Sequence, residues 1–281
     1  MIDPDSLLET VAAAAAAARA AGVGDVDGAV TLGSGLAAFG ESLEESVRVP
    51  YTDLPGFAAS TVVGHRGELI YGRLGDTRVL VFSGRMHLYE GVEPWRAGLL
   101  PRLAKALGAK LFLVTNASGG IPGKGVHPGD LMRITDQINH QGTNPLVGPH
   151  DDRLGPRFPD MGEAYDRALG ARMDGIAGEL GLELKTGIYI GVLGPGYESR
   201  AEVRMFGLWG ADAVGMSTVG EVLVARQVDL PVVGVSCISN YAAGNEGEEV
   251  LTHDDVTEVV GAAANRFVQL LRAAVPKLLE A

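Results

Sequence analysis

The chain reads VLVFSGRMHLYEG over residues 79–91. It begins with the apolar run 79–82, which predicts a strand, and polar side chains then follow at alternating positions. If the backbone stays extended there, Arg85, His87 and Tyr89 lie on one face and the residues between them face the core. An arginine fork suits an oxyanion, imidazole is a switchable donor, and tyrosine offers a flat face with a hydroxyl. The stretch predicts either a site for a small phosphorylated or phosphate-using ligand or a solvated strand end.

Apolar runs of strand length alternate with helical patterns along the whole chain. The predicted strands cover residues 28–32, 60–63, 68–73, 77–83, 110–115, 129–134, 186–193, 212–216 and 231–238. The predicted helices cover residues 5–21, 93–108, 163–181, 200–209, 218–229 and 254–278. This alternation predicts an α/β fold, a single domain over residues 1–281 in which helices flank a mixed, largely parallel central sheet in three layers. Ligands of such folds bind beyond the carboxyl ends of the strands, so the residues after each strand are the candidates for function.

Composition and charge narrow the class of function. The chain has 281 residues, of which 46% are apolar, and a formal net charge of −12. No cluster of Lys and Arg is visible, which argues against a nucleic-acid partner while leaving a single nucleoside open. Cys237 is the single cysteine, so an intrachain disulfide is impossible, and in its apolar run it is expected to be a buried small hydrophobe. An acidic N-terminus and an Ala run broken by Arg19 argue against a signal peptide or a membrane span, and we expect a cytoplasmic protein.

Several predicted strands end in small residues that suit an anion. Ser34 lies between two glycines, where backbone N–H groups and a hydroxyl can converge on a phosphate. His65 lies in the turn expected to join 60–63 to 68–73 as a hairpin, and it is either solvated or placed over a phosphate. Residues 116–120, NASGG, let a ligand approach backbone amides. A plain turn explains each of these segments equally well.

Other strand ends suit a flat heterocycle. Tyr197 and Glu198 lie in a Gly/Pro-shaped loop, where the ring can cover a base and the carboxylate can accept from its N–H groups, unless the loop is simply a helix N-terminus. Ser217 precedes a helix that it can cap while donating to an anion. Asn240 ends a buried strand, as a turn residue or as a group that both donates and accepts. The six histidines show no metal-ligand spacing, and no G-x-S-x-G elbow of a serine hydrolase occurs.

Taken in order, these strand ends resemble one family, the trimeric purine nucleoside phosphorylases. The matching segments are Gly33–Leu36, Val63–Gly67, Gly84–Gly91, Val114–Gly120, Asn144–Leu146, Gly155–Pro159, Gly194–Glu198, Gly215–Val219 and Ser239–Asn240. The resemblance implies the nucleoside phosphorylase-like fold and the reversible cleavage of a purine nucleoside by phosphate, in purine salvage. It implies a homotrimer that uses no cofactor and no metal, with inorganic phosphate as a co-substrate.

The resemblance also assigns roles to individual residues. For the phosphate it implies Ser34, His65, Arg85, His87, the backbone of Ala117, and Ser217; for the ribose, Tyr89, Met216 and His253; for the base, Tyr197, Glu198, Val214 and Asn240. Phe158 is expected to reach the site of a neighbouring subunit. Asn240, Glu198 and His87 are the expected catalytic residues, with Asn240 on N7 of the purine and Glu198 on its N1–H.

Two departures and two alternatives bear on specificity. Tyr197 stands where the animal enzymes usually have Phe, and Ser199 where they have Thr; both substitutions keep the shape of the side chain. A methylthioadenosine phosphorylase on the same scaffold is expected to have Asp in place of Asn240. Asn240 together with Glu198 instead favours inosine and guanosine. The other alternative is a nucleoside-binding protein without catalysis, against which Arg85, His87 and Asn240 all argue.

Overall fold

The computed structural model describes residues 1–33, 35–58, 66–242 and 253–280, with only the backbone for 253–257. Its strands are β1 (Gly28–Leu32), β2 (Glu44–Pro50), β3 (Glu68–Leu74), β4 (Thr77–Ser83), β5 (Phe112–Gly120), β6 (Leu131–His140), β7 (Leu184–Val192), β8 (Ala213–Gly215) and β9 (Val232–Tyr241). Its α-helices are α1 (Pro4–Ala20), α2 (Ala37–Glu41), α3 (Leu99–Ala106), α4 (Arg167–Glu179), α5 (Arg200–Leu208), α6 (Val219–Gln227) and α7 (His253–Leu279). Short 3₁₀ turns cover Tyr51–Asp53, Leu88–Glu90, Pro94–Gly98 and Asp152–Leu154.

The nine described strands form one mixed sheet in the order β2-β3-β4-β1-β5-β8-β7-β6-β9. β9 also pairs with β5, so that β5, β8, β7, β6 and β9 close into a ring. Strand β5 belongs to both parts, because its first half pairs with β1 and its end pairs with β8. Of the nine pairings between described strands, five are parallel: β1–β4, β1–β5, β5–β9, β6–β7 and β7–β8. The predicted mixed α/β sheet is therefore confirmed.

Alternating apolar side chains of the central strands pack against two layers of helices, one on each face of the sheet. On β5, Phe112 and Val114 are buried on the side of α1, α3 and α6, whereas Leu113 is buried on the side of α4 and α7. Each fully buried side chain of this size contributes about 1.5–3 kcal/mol of hydrophobic free energy. The two apolar faces therefore hold the three predicted layers together. Cys237 is fully buried in the second layer, and burial raises the pKa of its thiol to about 12, as expected of a packing residue.

Several elements differ from the predictions. The predicted helix 93–108 is a 3₁₀ turn followed by the shorter α3, and residues 116–120, which were expected to follow a strand, belong to β5. Strand β2 and the five-residue helix α2 were not predicted, because β2 carries charged, exposed side chains and α2 is too short to show a period. Strand β3 pairs with β4 on one side and with β2 on the other, so the predicted hairpin between 60–63 and 68–73 is replaced by the β3–β4 hairpin. Residues 60–63 lie outside the described part of the chain.

Candidate active site

Arg85 lies just beyond the end of β4 and is almost completely buried. Its Nε donates to Oε1 of Glu221 on α6 at 2.7 Å, and its Nη2 donates to the carbonyl of Thr115 on β5 at 2.7 Å. Both side chains of the ion pair are buried. The Thr115 hydroxyl in turn accepts from the backbone N–H of Gly33 and donates to the carbonyl of Thr31. One guanidinium is therefore tied to β5, α6 and, through Thr115, the end of β1.

His87 is held by a carboxylate three residues later. Strand β4 ends at Ser83, and Leu88–Glu90 forms a 3₁₀ turn, so the expectation of an extended backbone through Tyr89 is wrong. The turn brings Oε1 of Glu90 to 2.8 Å from the backbone N–H of His87 and to 3.1 Å from its Nδ1. Burial lowers the pKa of His87, which favours the neutral ring at neutral pH. The Tyr89 ring nevertheless stacks on His87, with centroids 4.7 Å apart and planes at 18°.

Ser217 lies in a chain of polar side chains at the start of α6. Its Oγ is 3.0 Å from the Thr218 Oγ1, which accepts from Nδ2 of Asn116 at 2.8 Å. The N-cap position belongs to Thr218 and has no side-chain capping bond, so the prediction that Ser217 caps the helix is wrong. Thr218 has φ 69°, a left-handed conformation that strains a β-branched residue by about 1–3 kcal/mol and often marks a functional site. Met216 and Ser217 line one cavity together with Arg85 and His87.

The backbone of Ala117 lies against the turn after β1. A Cβ on Gly33 would stand 2.7 Å from Cα of Asn116 and 3.3 Å from the backbone nitrogen of Ala117, so only glycine allows this approach. The predicted partner Ser34 lies outside the described residues, as does His65. The turn and the middle of β5 are therefore in contact at the position expected for an anion.

The residues expected around a base flank the end of β5. Gly119 pairs with Val214 on β8 and with Asn240 on β9, next to a bulge in the β5–β9 pairing. Val214 is buried. The Asn240 amide accepts from the Ser239 hydroxyl at 2.6 Å and donates to the Tyr241 carbonyl at 2.8 Å. Val214 and Asn240 therefore lie on either side of one glycine of β5, against which the Asn240 amide and the backbone of Ala242 pack: a Cβ added to Gly119 would stand 3.2 Å from each.

The loop between β7 and α5 brings the aromatic and carboxylate groups. Tyr197 is 47% exposed. Glu198 is partly buried, and this burial raises the pKa of its carboxyl group. Ser199 caps α5 in a reciprocal capping box with Glu202, so capping is the role of Glu202 and not of Glu198. The same loop begins at Gly194, where a Cβ would clash with Sδ of Met216.

Tyr89 and Met216, the two described residues expected at the ribose, both lie beside Gly194. His253 begins α7, but its side chain is outside the described part. Phe158 lies apart from this cluster on the surface loop after β6, where it is 87% exposed and its ring centroid is 5.9 Å from the Arg157 guanidinium.

The chain is similar to known proteins over most of its length. The pattern of the Phosphorylase superfamily matches residues 29–276. Purine nucleoside phosphorylase 1 of Geobacillus stearothermophilus is 46% identical over 244 residues, which are 87% of this chain and 88% of the relative. The purine nucleoside phosphorylase of Bos taurus is 40% identical over 257 residues, covering 88% and 89% of the two chains.

The chain belongs to the purine nucleoside phosphorylase family. A solved structure of isoform 2 of the Schistosoma mansoni purine nucleoside phosphorylase, in complex with cytosine and ribose-1-phosphate, superposes with a TM-score of 0.89 and 35% identity. It covers 96% of this chain and 95% of that one. The predicted family, fold and enzyme class are thus confirmed. None of the helices in the described ranges combines the length and apolarity needed to cross a bilayer.

Sequence reasoning missed the residues that hold the side chains of Arg85 and His87 in place. Glu90 follows His87 by three positions, and the glycine at position 91 was the available signal for a tight turn. Glu221 and Thr115 gave no such signal, because Glu221 lies 136 positions from the Arg85 it contacts.

Proposed function

We propose that the chain catalyses the reversible phosphorolysis of inosine, guanosine and their deoxy forms to the free base and (deoxy)ribose 1-phosphate. The observation that carries the proposal is the single cavity lined by Arg85, His87, Met216 and Ser217, beside which Val214 and Asn240 flank Gly119. We take the first group as the anion subsite and the second as the base subsite; the two are linked along the chain, because Val214 precedes the cavity residue Met216 by two positions. The sugar 1-phosphate in the Schistosoma structure has the chemistry expected of the product.

The phosphate end supplies the nucleophile. Arg85 offers a charged planar donor, and Ser217, the Ala117 backbone and His87 add hydrogen-bonding groups, with Ser34 and His65 proposed to complete the shell. A phosphate oxygen attacks the anomeric carbon as the bond from that carbon to N9 of the purine breaks. The bond's electrons pass to the purine, and the bound dianion stabilises the positive charge that develops on the sugar.

The ribose is proposed to lie over Tyr89 and Met216, with His253 directed at its 5′-hydroxyl. This placement is supported by the packing of both described residues against Gly194, on the side of the cavity between His87 and the base loop. Tyr89 has its hydroxyl pKa raised to about 12 by burial, so it acts as a neutral donor and acceptor.

The base end stabilises the leaving group. Tyr197 is proposed to stack on the purine, Glu198 to accept from N1–H, and Asn240 to hydrogen-bond N7 as negative charge or a proton arrives there. Asn240 must exchange its local bonds to Ser239 and Tyr241 for one to the ligand. A hydrogen bond that strengthens in the transition state contributes about 3–4 kcal/mol, or roughly 10²–10³ in rate.

We further propose a cytoplasmic homotrimer that folds as one domain and needs inorganic phosphate but no cofactor. Exposure of Phe158 supports the assembly, because an aromatic side chain that is 87% exposed in the single chain has reason to be covered by a neighbour. Light scattering of the purified protein, compared with Phe158→Ala, measures the oligomer. A monomer with full activity contradicts this part of the proposal.

The reaction is tested with inosine in the presence and absence of phosphate, and with guanosine, adenosine and methylthioadenosine under saturating phosphate. Phosphate-dependent release of hypoxanthine with little turnover of adenosine supports the proposal. Activity that persists without phosphate indicates a hydrolase, and better turnover of methylthioadenosine indicates the alternative enzyme. Asn240→Ala is expected to lower kcat about 100-fold or more while the melting temperature stays near that of the parent.

A further inference from the structure

We propose that Glu221 is a positioning residue for phosphate, which acts by fixing the guanidinium of Arg85. The inference rests on the proposed function, since it takes Arg85 as the phosphate-binding cation. Glu221 has no place among the residues assigned to phosphate, ribose or base. Its side chain is 4% exposed, and its Oε1 accepts from Arg85 Nε at 2.7 Å.

Two independent elements hold the same guanidinium. Glu221 belongs to α6 and takes Nε, whereas the Thr115 carbonyl belongs to β5 and takes Nη2. The protein therefore holds both Nε and Nη2 of this guanidinium before any ligand arrives. Because a guanidinium is planar, fixing two nitrogens fixes the direction of the third.

The direction matters because the other anion-binding groups are attached to the same supports. The Thr115 hydroxyl accepts from the Gly33 backbone N–H, which places the turn after β1 in the same hydrogen-bonded unit as Arg85. Helix α6 begins at Val219, two residues after Ser217. A guanidinium held by Glu221 thus keeps its position relative to the turn, the middle of β5 and the serine together.

If the charge of Glu221 were its whole effect, this residue would weaken the binding of phosphate instead of supporting it. The carboxylate neutralises the buried Arg85 and repels an incoming dianion, so a purely electrostatic role would weaken phosphate binding. Oε2 of Glu221 is buried and makes no hydrogen bond within the described part of the chain, so the contact to Arg85 Nε is the one described hydrogen bond of this carboxylate. The carboxylate repels phosphate and leaves one buried oxygen without a hydrogen bond among the described residues. Its presence is explained by the orientation that it imposes on the Arg85 guanidinium.

Two near-isosteric variants separate the effect of the acceptor's position from the effect of its charge. Glu221→Gln keeps an oxygen acceptor at the same distance and removes the charge. Glu221→Asp keeps the charge but withdraws the carboxylate by about 1.5 Å, one C–C bond. Gln227→Ala is the matched control, because Gln227 is another buried polar residue of α6 and its Oε1 accepts from Arg102, away from Arg85.

The measurements are the KM for phosphate, the KM for inosine, kcat and the dissociation constant of inorganic phosphate by calorimetry. We expect Glu221→Asp to raise the KM and the dissociation constant for phosphate about 10–100-fold, as outer partners of binding residues do, with the KM for inosine within about twofold. Glu221→Gln is expected to stay within about threefold of the parent for phosphate. Gln227→Ala is expected to change the melting temperature but not the phosphate constants.

The opposite ranking overturns the inference. If Glu221→Gln binds phosphate more tightly and Glu221→Asp behaves as the parent, Glu221 sets charge and not position. Equal increases in the KM for inosine and for phosphate would show a general distortion and would also overturn it. A parent protein without phosphate-dependent cleavage refutes the proposed function itself, whereas an active parent with an unaffected Glu221→Asp variant refutes only this inference.

Discussion

Gly33→Ala tests whether the turn after β1 and the middle of β5 form one anion site. The added Cβ would meet Cα of Asn116 at 2.7 Å, where ordinary contact begins at 3.4 Å, so one of the two backbones must yield by about 0.7 Å. Both obstructing groups are backbone, and no flexible side chain can move aside. Overpacking of this kind costs about 1–3 kcal/mol, which lowers the melting temperature by roughly 2–6 °C at about 2 °C per kcal/mol.

The effect on turnover is expected to exceed the effect on stability. A displacement of about 0.7 Å moves the turn relative to the Ala117 backbone, and misplacement on the scale of 1 Å costs on the order of 100-fold in rate. We therefore expect kcat/KM for phosphate to fall about 30- to 100-fold in Gly33→Ala, measured at saturating inosine beside a thermal melt. Gly178→Ala is the control: it lies inside α4 with no atom within 4 Å of its added Cβ, so it should keep full activity and gain about 0.5–1 kcal/mol. Activity of Gly33→Ala within twofold of the parent would refute the reasoning.

Three further predictions concern the titratable groups of the site. Glu90→Ala removes the acceptor of the His87 Nδ1–H and should lower kcat/KM for phosphate about 10–100-fold in steady-state assays, whereas a change below twofold contradicts the role. Burial lowers the pKa of His87 in the folded state, so the unfolded chain takes up a proton first as the pH falls through 6.5, and the folded state loses stability. Urea unfolding at pH 7.5 and 5.5 should therefore show a larger loss of stability for the parent than for His87→Gln. Equal losses would refute this prediction. Burial raises the pKa of Glu198, so the stability that this group contributes below pH 4.5 is lost as the pH rises through its folded-state value. Glu198→Gln should therefore be more stable than the parent at pH 7 but not at pH 4, while its activity on inosine is lower. A loss of stability at pH 7 would count against this account.

The sequence predicted the elements whose burial leaves a pattern. Strands β1, β4 and β9 are apolar runs buried on both faces, and the predicted bounds of β4 agree with the structure. Strand β2 escaped prediction because five of its seven residues are exposed and it carries charges, so that no hydrophobic period marks it. Helix α2 has five residues, fewer than two turns, and offers no period to detect.

For the site, residue types were predictable and their supports were not. Arg85 and His87 stood out because charged groups follow an apolar strand. Their carboxylate partners differ in how far they lie along the chain: Glu90 is three residues from His87, whereas Glu221 is 136 positions from Arg85 and meets it only in the folded chain. The turn that redirects the chain after Ser83 also defeated the extended geometry expected from alternation alone. Long-range contacts of this kind follow from topology, which local patterns do not contain.

The ring closure of the sheet also bears on self-association. Because β9 returns to pair with β5, β2 is the one strand among those described that has a single described neighbour, and it forms the edge of the described sheet. That strand carries Glu44, Glu45 and Arg48, a break in register between Glu44 and Val47, and a proline at its end. Charged side chains, an irregular register and a missing N–H each oppose the docking of a second strand. The charged side chains and the irregular register that kept β2 from being predicted therefore also hinder this edge strand from pairing with a strand of another molecule.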